Sequence, residues 1–293
     1  MELSFENSIR LLSNNYTLKG PYYTSYPAVG GWSKEFGPKE YELELDKVFL
    51  EDKNVPLSLY LHYPFCPELC TYCLCYVVIS DNKDRMREFS RHLLEEIDLL
   101  IDYFKKRSIV PNVKEIHFGG GSPNVMSKDE LDPLISKLKE FVDIDSLDEC
   151  ALEIDVRTVD REKVEYFSEK GINRISFGIQ DFNHDVQVAV NRVQPIELVE
   201  KILTPDTRAR FKSINFDILW GLPKQTRESF RETIKTLQHF SPDKVTLLHY
   251  GHYPDVYKHQ SLINADDIPS EFEKNMMNIE AILKLEDSGY EMV

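Results

Sequence analysis

Beyond residue 55 the chain alternates between two hydrophobic rhythms. Short runs rich in branched and aromatic residues, bounded by Gly, Pro or Asp, predict strands at 56–63, 113–118, 152–156, 174–179, 213–219 and 244–249. Between them the period lengthens to that of a helix. Over 85–106, Phe89, Leu93, Ile97, Leu100, Ile101 and Phe104 recur at three- and four-residue spacing and form one apolar stripe. Ser127 with Glu130, and Ser270 with Glu273, have the spacing of capping boxes and mark two further helix starts. Residues 1–55 are expected to form an irregular lead-in. It carries the aromatic, turn-rich run GPYYTSYP at 20–27 and one helix near 41–50.

Six strands, each followed by a helix, predict a parallel sheet with right-handed crossovers. An open sheet and part of a (β/α) barrel both satisfy this pattern, and both place a site at the carboxyl ends of the strands. The unusual residues fall there: four cysteines after the first strand, Gly119-Gly120-Gly121 after the second, and Gln180-Asp181 after the fourth. No repeat or Gly/Ser-rich linker divides the 293 residues, so one core domain is expected over 56–293 after the 1–55 lead-in.

Net charge narrows the partners. With 35 Lys plus Arg against 50 Asp plus Glu, the formal charge of −15 disfavours nucleic acid. The start MELSFENSIRLL lacks the basic and apolar segments of a secretory signal, and no apolar run reaches the ~18 residues of a membrane span. A cytoplasmic protein without membrane insertion is the expectation. In that compartment, clustered cysteines suggest metal ligation or catalysis rather than disulfides.

The cluster reads Cys66-x3-Cys70-x2-Cys73-x-Cys75, with Cys150 far away. Structural zinc usually takes four ligands in two paired knuckles; a second pair is missing, although Cys75 is available as a strained fourth ligand. Three thiolates at this spacing, on a loop able to wrap one corner of a cube, suit a [4Fe–4S] cluster whose fourth iron stays open to a ligand. Four unrelated free thiols are the remaining alternative. Pro64, Pro67 and Glu68 make the segment poor core, where free Cys usually sits.

Cys-x3-Cys-x2-Cys after the first strand, with Gly-Gly-Gly after the second, resembles the signature of radical S-adenosylmethionine (SAM) enzymes. YLHYPFCPELCTYCLC at 60–75 is similar to the cluster loop of the oxygen-independent coproporphyrinogen III oxidase family, with Cys75 the telling extra. The lead-in run at 20–27, FGGGSP at 118–123, EID at 153–155, SFGIQDF at 176–182, Asn191-Arg192 and NFDILWGLPKQ at 215–225 resemble that family in the same order.

The resemblance implies an α/β fold, a partial (β/α)6 radical SAM barrel with parallel strands. It implies that Cys66, Cys70 and Cys73 hold a [4Fe–4S] cluster, with Cys75 not a ligand, and that Tyr60, Gly120 and Glu153 contact a first SAM. Tyr72, Gly121, Ser122, Gln180, Arg192, Asp217 and Gly251 match positions around a second SAM. Four positions depart from the family: Tyr72 replaces the common Phe, Leu74 a Gly, Ser122 a Thr and Gly251 an Ala. The implied reaction is oxidative decarboxylation of coproporphyrinogen III to protoporphyrinogen IX by a SAM-derived 5′-deoxyadenosyl radical, with an external electron donor.

The substrate is a tetracarboxylate, so local positive potential is needed in an acidic chain, and Arg157, Arg174 and Arg192 lie at or near predicted strand ends. His62 is open between ordering the cysteine loop and approaching substrate; His117, Cys150 and the Met276-Met277 pair read as structural. Family members continue past this chain's last residue, Val293, into a helical domain, so a C-terminally truncated core is expected. A haem chaperone of related sequence and a cluster-binding core without turnover are the alternative readings.

Overall fold

The computed structural model describes residues 4–15 and 33–293. The aromatic run at 20–27 lies outside the described residues.

Six parallel strands form one sheet in the order β1 (Pro56–Tyr63), β4 (Asn112–Gly120), β5 (Glu149–Ile154), β6 (Arg174–Gln180), β7 (Ser213–Trp220) and β8 (Lys244–His249). The two-residue strands β2 (Phe65–Cys66) and β3 (Val78–Ile79) pair separately and clip the base of the cysteine loop. Helices follow the strands: α3 (Lys83–Arg107), α4 (Lys128–Leu138), α5 (Arg161–Glu169), α6 (His184–Ala189), α7 (Ile196–Ile202), α8 (Pro205–Arg208), α9 (Arg227–Phe240) and α10 (Glu271–Glu286).

All six expected sheet strands are present, and one is displaced. β5 begins at Glu149 and ends at Ile154, because the Asp155 carboxylate accepts from the Arg157 amide and turns the chain into a short 3-10 segment, Val156–Thr158. The lead-in is also more ordered than expected. Besides α2 (Pro38–Glu51), a helix α1 (Phe5–Asn15) packs on α10, where the Arg10 guanidinium lies 3.9 Å from the Phe272 ring centroid and Asn275 donates to Ser13 Oγ at 2.9 Å. The α2 helix is held on α3 by Asp46, which pairs with Arg107 at 2.5 Å and accepts from the Tyr103 hydroxyl at 3.0 Å.

Alternation along the strands separates two chemistries, because successive side chains point to opposite faces. Ile116, Phe118, Leu152, Ile154, Ile175, Phe177, Ile214, Phe216 and Ile218 are buried with the apolar faces of the helices in one core. The other face is polar: Tyr60 stacks on His117, His117 reaches Glu153, and Ser176, Asn215, Asp217 and Thr246 form one hydrogen-bonded row. Residues from beside both edge strands line one cavity, so the sheet curls around its polar face.

The Ser127 capping box does more than start α4. Glu130 is buried, and its Oε2 accepts from Ser127 N at 2.9 Å and Ser127 Oγ at 2.7 Å. Its Oε1 accepts from Tyr63 on β1 at 3.1 Å and from Ser90 on α3 at 3.0 Å, tying strand and two helices together. At the second predicted box only one half forms, Ser270 Oγ accepting from Glu273 N at 3.3 Å. Glu130→Ala strips four donors of a buried acceptor and is expected to cost about 3–5 kcal/mol in denaturant unfolding. Loss below about 1 kcal/mol would show that these donors find other partners.

Candidate active site

A cavity of ≈ 360 Å³ opens at the carboxyl ends of the strands. Cys66, Cys70, Cys73, Cys75, Tyr72 and Leu74 form one wall; Gly120, Gly121, Ser122, Glu153, Gln180, Arg192, Asp217 and Gly251 form the others. The structure thus gathers every residue that the resemblance assigns to the cluster or SAM except Tyr60. Tyr60 lies outside this lining, exposed and earlier on β1, its hydroxyl 3.1 Å from His62 Nδ1 and its ring centroid 5.7 Å from that of His117.

The cysteine loop has little regular structure, so groups from other elements satisfy much of its backbone. Thr71 N donates to Val190 O at 3.0 Å, and Asn191 Nδ2 to Leu69 O at 2.9 Å. Gln260 Nε2 donates to Tyr72 O at 3.1 Å and His259 Nε2 to Cys73 O at 2.7 Å. His62 Nε2 meets Tyr76 O at 3.1 Å. A carbonyl only accepts, so His62 Nε2 carries the proton and Nδ1 accepts from the Tyr60 hydroxyl. His62 therefore orders the loop. Across the base, Gly121 N and Ser122 N donate to Tyr63 O and Phe65 O at 2.8 and 2.9 Å, and a Cβ on Gly121 would lie 2.6 Å from Pro64 O.

All five cysteines are unpaired by disulfides. Cys66 Sγ lies 3.5 Å from Ser122 Oγ, Cys70 Sγ accepts from both Arg157 and Arg192 at 3.5 Å, and Cys73 is hydrogen-bonded to Cys75. Among the described residues, no three or more His, Cys, Asp or Glu converge as the ligands of a single ion do. Three thiols on one cavity wall suit a multi-iron cluster, whose thiolates each bind a different corner. Burial pushes the Cys66 thiol up to about 11, and the Cys75 contact followed by burial raises Cys73.

The charges around the thiols are paired. Buried Asp155 accepts from Arg157 at 2.7 Å and Arg192 at 3.1 Å, and Arg157 also reaches Glu68 at 3.3 Å. Burial by itself raises the Asp155 pKa, but Arg192 and Arg157 overcome it and hold the carboxyl below its usual range. Arg192 also donates through Nη2 to Gly178 O at 2.7 Å. Glu153 is fixed by His117 Nε2 at 3.0 Å and Gly120 N at 3.2 Å. Asp217 accepts from Ser176 at 2.9 Å and Asn215 at 2.8 Å, and burial raises its pKa. Gln180 adopts φ 65°, a left-handed conformation at the irregularity that ends its pairing with β7.

Several expectations change. Arg174 is the first residue of β6, at the opposite end of the sheet from the cavity, and pairs with Glu149 at 2.5 Å; it adds no positive potential to the site. Asp181 is buried outside the cavity, accepting from Thr233 at 2.6 Å and Gln225 at 2.5 Å, and orders the loop after β6. His117, expected to be structural, orients a cavity carboxylate. Cys150, Met276 and Met277 are core residues, as expected. Glycine at 251 has a local reason: a Cβ there would run into the Tyr253 ring. His259 and Gln260 are the residues that sequence reasoning missed, since nothing in their neighbourhood signals contact with a loop nearly two hundred residues earlier.

The family model of the Radical SAM superfamily matches residues 60–237, and the chain belongs to that superfamily. The superfamily implies a [4Fe–4S] cluster and SAM, and the six-stranded parallel sheet is its partial barrel. Among curated proteins, the chain is 35% identical to the oxygen-independent coproporphyrinogen III oxidase of Pseudomonas aeruginosa, over 96% of this chain and 61% of that one. It is 34% identical to the protein of that name from Escherichia coli, over 96% of this chain and 60% of that one. The solved coproporphyrinogen III oxidase of Escherichia coli superposes with TM-score 0.83 at 33% identity, over 92% of this chain and 60% of that chain. The chain therefore spans about 60% of the length of these relatives.

Gln260→Ala removes the donor to the Tyr72 and Gly251 carbonyls and is expected to cost about 2–4 kcal/mol in thermal unfolding and to lower iron retained after reconstitution. Unchanged stability and iron content would mean that the loop is held elsewhere. Acid unfolding tests the ion-pair core. Because the folded Asp155 pKa lies below its unfolded value of ~3.9, its stabilisation is complete above about pH 5 and is lost as pH falls through the folded value. Asp155→Asn should lower stability at pH 7 by about 3 kcal/mol and flatten the acid limb; an acid limb parallel to that of the unsubstituted protein would contradict this.

Proposed function

We propose that this chain carries the catalytic core of an oxygen-independent coproporphyrinogen III oxidase of haem biosynthesis, working in the cytoplasm. The observation that supports this best is the shared cavity: Cys66, Cys70 and Cys73 face the Gly120–Ser122 turn, Glu153 and Arg192, in a chain 35% identical to a protein of that name. In this reading residues 56–293 are the core and 1–55 the lead-in.

The donor set fits the cofactors. Cys66, Cys70 and Cys73 hold the [4Fe–4S] cluster, and Cys75 stays unligated. SAM carries an ammonium, a sulfonium and a carboxylate, and the cavity offers matching charges. Glu153, with Tyr60 and Gly120, receives the first SAM; Gly120, at φ 113°, lets the His62 ring pack where a Cβ would stand. Tyr72, Gly121, Ser122, Gln180, Arg192, Asp217 and Gly251 receive a second. Arg192 supplies the cation for its carboxylate, and the raised pKa of Asp217 suits a buried hydrogen-bonding role.

When bound and reduced by an external donor, the cluster and SAM supply a 5′-deoxyadenosyl radical that takes hydrogen from a substrate propionate. The protein's part is placement and exclusion. Leu74, Leu219 and Leu248 line the cavity with apolar surface that keeps water from a carbon radical. Over one round, propionate would give a hydrogen atom to the 5′-deoxyadenosyl radical, an electron to an external one-electron acceptor, and carbon dioxide, to become vinyl; two rounds would give protoporphyrinogen IX.

Anaerobic reconstitution followed by SAM, reductant and coproporphyrinogen III tests the reading, with tetrapyrroles resolved by chromatography and mass detection. Loss of two carbon dioxide units is expected. Cys66→Ser, Cys70→Ser and Cys73→Ser should each lose the iron–sulfur absorbance, and Cys75→Ser should keep it. Unchanged substrate with a full cluster would overturn the proposed reaction.

A further inference from the structure

Of the three thiols assigned to the cluster, Cys70 alone accepts from guanidinium groups. Cys66 meets the Ser122 hydroxyl, and Cys73 meets Cys75. Arg192 reaches Cys70 through Nη1 at 3.5 Å while its other nitrogens are committed to Gly178 O. Arg157 approaches from the opposite element, the turn after β5, and also stands 3.5 Å from Cys70 Sγ through Nη2.

Arg157 is built to stay there. Asp155 accepts from its Nε at 3.0 Å and its Nη2 at 2.7 Å, a forked pair that fixes the guanidinium plane. Glu68, within the cysteine loop itself, accepts from Nη1 at 3.3 Å. The side chain is 12% exposed. The turn itself is already capped by the Arg157 amide on Asp155 Oδ1 at 3.1 Å, so the turn alone does not call for this side chain.

We infer that Arg157 is a positioning residue for the cluster, donating an N–H···S hydrogen bond to Cys70 that makes the cluster easier to reduce. This rests on the assignment of Cys66, Cys70 and Cys73 as its ligands. Reduction adds one negative charge to the cluster and its thiolates, and hydrogen bonds to the sulfurs, like nearby charge, set iron–sulfur potentials. A fixed cation with an N–H aimed at sulfur favours the reduced state. Arg157 lines the same cavity, and its effect on the cluster runs through Cys70.

The test is a redox titration of the reconstituted full chain, followed by electron paramagnetic resonance without SAM, with iron and sulfide measured per chain. In Arg157→Gln the ratio of reduced to oxidised cluster at a fixed potential should fall about tenfold, 59 mV for a one-electron couple. Arg157→Lys keeps the charge and the Asp155 pair but loses the fork, so a smaller fall in the same direction is expected. Wild-type potentials in both variants, at full iron content, would overturn the inference. So would loss of the cluster from both, which would make Arg157 part of the site's construction rather than its tuning. If the unsubstituted protein takes up no cluster, the ligand assignment fails first and the inference falls with it.

Discussion

Backbone groups withdrawn from water must be paired, and the cysteine loop pairs few of its own. Between Phe65 and Ile79 the only regular structure is one pair of two-residue strands. The carbonyls of Leu69, Tyr72, Cys73 and Tyr76 are therefore served by Asn191, Gln260, His259 and His62, which come from three separate parts of the chain. Each of these bonds fixes where a thiol faces. The site is preorganised by elements that themselves carry no cluster chemistry.

The second constraint is the curl of the sheet. A flat sheet with one polar and one apolar face would leave its polar side to water; here it wraps a cavity, and the polar groups satisfy one another. Thr246, Asn215, Ser176 and Asp217 form a connected row, and His117 with Gly120 N fixes Glu153. Beside the thiols, Arg157 and Arg192 share the buried Asp155, and Arg157 also pairs with Glu68, so charge there is locally paired whatever the net charge of the chain.

Sequence reasoning succeeded where a signal is local and failed where it is not. Strands such as Ser213–Trp220 announce themselves by branched residues between turn residues. The start of β5 was hidden because Glu149, Cys150 and Ala151 have weak strand preference and are strands only through pairing with β4. Helix α1 was hidden because Leu11 and Leu12 remain exposed, and it docks instead through Arg10 and Ser13. Arg174 was misplaced for a simpler reason: it stands at the first residue of its strand, and in a parallel sheet the two strand ends face opposite sides of the molecule.

The candidate site divides along the same line. The sequence alone determined which residues are chemically competent: a Cys-x3-Cys-x2-Cys loop, a Gly-rich turn and carboxylates following strands, because spacing and residue type are properties of the chain. Only the tertiary structure decided how they meet. It made His62 and His117 positioning groups, gave two arginines to one aspartate and to Cys70, and brought Gln260 and His259 to the loop. Such contacts depend on register and crossover geometry, which bring together residues whose separation along the chain carries no trace of their proximity.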